Sequence, residues 1–131
     1  MANITTAWAA KILDHSLGTT DSPFVGTVYV GLSTTDPTIA GLLTGEPSGG
    51  GYARQAVDFD AAVAGLCDNT SQVSYPEATG NWGEVRYWII CDALTAGTVR
   101  YFGALLPVMN ITTGMLYYIP AGDLDLSTVL T

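Results

Sequence analysis

The sequence predicts a mainly β fold, an antiparallel β-sandwich or barrel of jelly-roll or immunoglobulin-like type, with one short amphipathic helix at the N-terminus. Three observations carry that expectation. Apolar and polar residues alternate with a period of two in six or seven short segments after Thr27. Turn-forming residues, drawn from 15 Gly and 6 Pro, separate those segments at short intervals. Only residues 1–18 repeat at the helical period.

In that first segment Ile4, Trp8 and Ile12 recur every four residues, and Leu13 and Leu17 widen the stripe. Asn3 or Thr5 can cap the start, and Gly18 can supply a left-handed stop. The apolar face centred on Trp8 requires cover, either from the sheet of its own domain or from a neighbouring subunit.

From Thr27 to Ser33 the pattern becomes that of a strand, with Val28, Val30 and Leu32 on one side and Tyr29 and Gly31 on the other. Asp36-Pro37 ends it. A Gly- and Pro-rich loop follows from Thr38 to Gly51, and Ser48-Gly49-Gly50-Gly51 reads as the most flexible stretch of the chain. Further strands are expected at Tyr52–Phe59, Ser71–Tyr75, Glu84–Cys91, Thr98–Leu106, Met115–Pro120 and Leu124–Leu130. The turns between them fall at Pro76, Gly80-Asn81, Thr95-Ala96-Gly97, Pro107, Thr113-Gly114 and Ala121-Gly122-Asp123. Within Glu84–Cys91, Trp88 and Ile90 are as apolar as their alternates Val85, Tyr87, Ile89 and Cys91, so both faces of that strand should be covered.

A chain of 131 residues fits one domain, with residues 1–18 as helix or arm and 27–131 as the sandwich. Hydrophobic residues make up 48% and charged residues 12%, the reverse of a disordered composition. Four basic against twelve acidic residues give a net charge of −8, which argues against nucleic-acid phosphates and anionic membrane surfaces as partners. So sparse a charged coat suggests that neighbours cover part of the surface. The apolar run Phe102–Val108 is far shorter than the roughly 20 residues of a membrane span. No basic region followed by an apolar one opens the chain, so no secretory signal is expected.

The residues give little sign of chemistry. His15, the only histidine, stands next to Asp14 on a helix, where adjacent side chains diverge. No Gly-x-Ser-x-Gly turn occurs. Cys67 and Cys91 match no metal spacing and read as reduced packing residues. Asp58 with Asp60, and Asp123 with Asp125, offer too few oxygens for calcium and read as solvated turns. Gly49-Gly50-Gly51 opens no helix and precedes no Lys, so it is not a phosphate loop. Arg54, Arg86 and Arg100 lie in strands among aromatics, where each serves either an intramolecular ion pair or a subunit interface. Exposed Trp82 or Tyr75 would suit a sugar ring, although core packing is the commoner role. The expectation is a protein without enzymatic activity, catalytic residues, metal or cofactor.

The order of segments has a specific character. An N-terminal helix precedes Leu32-Ser33-Thr34-Thr35-Asp36-Pro37, then Gly49-Gly50-Gly51-Tyr52-Ala53-Arg54-Gln55. Pro76, Ala78 and Trp82-Gly83-Glu84-Val85 come later, followed by Arg100-Tyr101-Phe102-Gly103. Over residues 1–106 this resembles a family of small virion structural proteins of tailed bacteriophages, often labelled tail fibre proteins. The resemblance implies a non-enzymatic virion protein, assembled in the host cytoplasm, present in many copies and forming a homotrimer. The expectation is a capsid decoration (cement) protein on the capsid exterior, binding the major capsid protein and stabilising its lattice by multivalent contact. The alternative is a tail fibre or receptor-binding protein with host glycan as partner. The candidate contact residues are Ile4, Trp8 and Ile12 of the helix, Gly49, Gly50, Gly51 and Tyr52 of the loop, and Arg54 as an ionic anchor. On this reading Trp8→Ala lowers occupancy on the particle and leaves the isolated sandwich folded.

Overall fold

Alternating β-branched and aromatic residues form the main sheet, and its two faces bury two separate apolar clusters. The computed structural model describes residues 2–19 and 26–127. Its elements in chain order are β1 (Ala2–Ile4), α1 (Thr6–Ser16), β2 (Val28–Ser33), β3 (Gln55–Val57), β4 (Leu66–Cys67), β5 (Val73–Ser74), β6 (Gly83–Cys91), β7 (Val99–Ile111), β8 (Tyr118–Ile119) and β9 (Leu126–Ser127). Five strands pair antiparallel in the order β1-β7-β6-β2-β3, and two small antiparallel ladders, β4 with β9 and β5 with β8, accompany them. The main sheet ends in two edges, β1 and β3, so the architecture is sandwich-like and the barrel alternative is set aside.

The face that carries Val30, Leu32, Trp88 and Ile90 holds the larger cluster, packed against Val73, Tyr75, Trp82, Ile119, Leu124 and Leu126 from the smaller ladders and their loops. The other cluster consists of Ile89, Cys91, Val99 and Phe102, with Leu43 of the long loop packed against it. The expected two-sided cover of β6 is therefore present. Strict alternation fails at one point, however. Val85 belongs with Trp88 and Ile90, although an odd step along a regular strand reverses the face. A register shift between Val85 and Tyr87 removes the contradiction, because displaced pairing turns the strand about its axis.

That shift lies opposite an irregular part of β7. Tyr87 pairs with Ala104 while Val85 pairs with Met109, so Leu105–Val108 have no register partners on β6. Pro107 was expected to end the strand, yet β7 continues through it to Ile111. A proline, which lacks a backbone N–H, is tolerated where the ladder bulges. Gly103 stands directly across from Trp88, and a Cβ there would overlap the indole; the glycine makes room for the ring.

The helix is shorter than its periodicity predicts. Ile4 belongs to β1 and pairs with Tyr101, so it lies outside the helical stripe. Thr5 is the cap: its Oγ1 accepts from the Trp8 N–H at 3.4 Å and donates to the Val99 carbonyl at 2.6 Å. One threonine thus starts the helix and anchors it to β7. Gly18, at φ 74°, provides the left-handed stop.

Several strands are also shorter than expected. The Tyr52–Phe59 segment yields β3 and an isolated bridge between Phe59 and Asn69. Ser71–Tyr75 and Met115–Pro120 each contract to two residues. Leu124–Leu130 contributes β9, with residues 128–130 outside the described residues.

Candidate functional site

Each residue of the expected contact set has a definite place, and most are engaged within the chain. Arg54 is 3% exposed. Its Nε donates to Glu46 Oε2 at 2.7 Å and its Nη2 to Glu46 Oε1 at 2.8 Å, a two-pronged ion pair. Nη1 donates to the carbonyls of Ala93 and Ala96 at 2.7 and 2.8 Å. All three guanidinium nitrogens are used inside the chain, so Arg54 is an internal tie rather than an ionic anchor for a partner. Burial acts to lower its affinity for the proton, but the Glu46 hydrogen bond and the neighbouring Cys91, Glu46 and Tyr52 outweigh that and raise it.

Tyr52 completes the tie. Its hydroxyl donates to Glu46 Oε2 at 2.7 Å and accepts from the Leu32 N–H at 3.0 Å. Burial is the main cause that pushes its phenol well above the usual range. The ring stacks on Tyr75 at 6.3 Å and meets Trp82 edge-on at 5.4 Å. Trp82 and Tyr75 are each 4% exposed, so neither offers a flat face to a sugar.

The glycine run forms a docked turn instead of a flexible tether. Gly49, Gly50 and Gly51 take φ of 73°, 60° and 80°, a left-handed series that L side chains rarely adopt. The Gly50 carbonyl accepts from the Thr79 N–H at 2.9 Å and from Trp82 Nε1 at 2.7 Å. A Cβ at Gly50 would lie 3.1 Å from the Gly80 backbone, whereas one at Gly49 would meet nothing. Only Gly49 of the three faces open space.

On the helix, Trp8 is 6% exposed and the Arg100 guanidinium lies 4.0 Å from its ring centroid. The Trp8 face therefore covers its own sheet. Ile12 is half-buried, while Leu13 and Leu17 point to solvent. Arg86 pairs with Glu84 on the exposed side of β6. Cys67 and Cys91 are both free thiols, Cys91 buried and Cys67 half-buried. Burial pushes the Cys91 thiol up to about 12. Asp58, Asp60, Asp123 and Asp125 are exposed, and Asp60 accepts from the Thr70 hydroxyl at 3.0 Å. Among the described residues no three His, Cys, Asp or Glu side chains gather as metal ligands.

One apolar surface escaped the sequence reading. The bulged part of β7 presents Leu106 at 90% and Val108 at 42% exposure, beside Leu116 at 71% and Tyr118 at 54%. A groove of about 580 Å³ runs between residues 104–109 and 116–120. The available signal was Leu105-Leu106-Pro107-Val108, four consecutive apolar residues where alternation should have continued.

Compared with known proteins, residues 3–127 match the family described as podophage GP4 fiber I protein gp80. No curated protein matches the chain.

Proposed function

The chain belongs to the podophage GP4 fiber I protein gp80 family, and from that premise we infer that it is a non-enzymatic subunit of a tail fibre. Membership makes it a structural component of a phage virion. The match across residues 3–127 carries the finer reading: the family is described by a fibre, which supports the appendage over the capsid lattice that the resemblance led one to expect. The interior supports a mechanical role. The buried Arg54 is held by Glu46 and ties the long loop to the distant turn at Ala93, and these polar groups are consumed by one another instead of facing a substrate.

The test is imaging of intact particles whose copies of this chain carry a label. Signal confined to the tail is the expected result. Signal spread over the head in hundreds of copies would replace this reading with capsid decoration. Product released from host polysaccharide by the purified chain would overturn the non-enzymatic part.

A further inference from the structure

We propose that the bulged edge of β7, with the groove beside it, is the docking surface for a second copy of this chain. This goes beyond the fibre reading and stands or falls in solution, without the particle.

Three observations converge on that face. The first is an open backbone edge. β6 pairs along one side of β7, but β1 covers the other side only at Tyr101, Phe102 and Gly103. From Ala104 to Ile111 no strand among the described residues takes the second edge. An unpaired edge is a template for another strand unless charge, proline or cover protects it. Pro107 interrupts this one, yet no charged residue guards it.

The second is shape. Leu106, 90% exposed, projects from the bulge and forms part of the wall of the groove of about 580 Å³, which Leu105, Met109, Leu116 and Tyr118 also line. A protruding leucine and an apolar groove on one face are the two halves of a self-complementary contact.

The third is charge, and it selects the occupant. Residues 101–122 contain no Asp, Glu, Lys or Arg, the longest such run in a chain of net charge −8. Two copies repel each other over most of their acidic surfaces, and this face is where they can approach without setting carboxylates against each other. Asp123 at the margin of the groove is the carboxylate among the lining residues. A basic partner would be drawn to the acidic remainder of the surface instead. Burying Leu106, Val108, Leu116 and Tyr118 against a copy also removes the largest exposed apolar side chains of this region from water.

The experiment is sedimentation velocity on the untagged full chain, from about 1 to about 100 µM. The wild type is expected to associate across that range. Leu106→Asp should weaken association at least about tenfold with an unchanged far-UV spectrum and urea midpoint, because the side chain is already in solvent. Leu116→Asp should do the same, and serves if Leu106→Asp alters the fold. Leu13→Asp, also at an exposed position (58%) but on α1, should leave association unchanged. A wild type that stays monomeric throughout overturns the proposal. So does association that survives both groove variants, or that Leu13→Asp weakens as strongly.

Discussion

Arg54 holds both carboxylate oxygens of Glu46, with Nε and Nη2 as donors at 2.7 and 2.8 Å, while its third nitrogen binds the carbonyls of Ala93 and Ala96. Two stretches far apart in sequence meet in this one guanidinium: residues 46–54, from the end of the long loop to the approach to β3, and the turn after β6. Removing one partner leaves the other charge buried and uncompensated. Glu46→Ala is expected to cost about 3–5 kcal/mol of stability, read as a lower urea midpoint. Arg54→Lys should recover little of the loss caused by Arg54→Ala, because an ammonium cannot reproduce the planar fork. A wild-type midpoint for Arg54→Lys would show that the fork is unnecessary.

Tyr52→Phe keeps the ring stack on Tyr75 and deletes one oxygen. The Leu32 N–H then loses its acceptor and Glu46 loses a donor. The expected cost is about 1–3 kcal/mol. Amide exchange at Leu32 offers a local check, since its protection should fall more than that of neighbouring β2 amides.

Trp8→Ala is now expected to act on the fold itself, a revision of the sequence-based expectation. The ring is buried against Arg100 and the sheet, so its loss leaves a cavity and an unstacked guanidinium. Truncations of this kind cost about 3–5 kcal/mol. Thermal melting of the isolated chain decides the matter: an unchanged melting temperature would restore Trp8 as a surface contact.

Alkaline pH should loosen the structure in a definite window. The Cys91 thiol is pushed from its ordinary 9.0 up to about 12, chiefly by burial. It stays protonated in the folded chain while the unfolded chain ionises, so the unfolded state binds fewer protons between those values. Stability is fully retained below pH 9.0 and falls as pH rises toward about 12. One such proton corresponds to about 1.4 kcal/mol per pH unit. Tyr52, Tyr75 and Tyr117, all raised mainly by burial, steepen the fall at the upper end. Urea midpoints across this range check the slope, and Cys91→Ala should make it shallower. At neutral pH iodoacetamide should label Cys67 well before Cys91.

Alternation made the main sheet legible. Val30 with Leu32, and the doubly apolar β6, identified a two-faced sheet because burial on each face leaves its mark residue by residue. The short strands were harder to read. β1 and β4 span three and two residues, and each is held by a partner strand distant in sequence, a cause that no local window contains. Trp8 and Arg54 were conspicuous for their residue types, and the sequence could not show that Arg100 and Glu46 already occupy them. The β7 bulge was hidden for a different reason. Pro107 normally punctuates a strand, so the sequence pattern ends the strand at Leu106 and leaves Val108 and the residues up to Ile111 in no strand.

The register of β1 has a practical corollary. Ala2 lies opposite Gly103 and Ile4 opposite Tyr101, so β1 begins next to the point where the uncovered edge of β7 starts at Ala104. A purification handle fused ahead of Ala2 would emerge beside the exposed strand margin and compete for the same hydrogen-bonding groups. Handles are better placed elsewhere on the molecule.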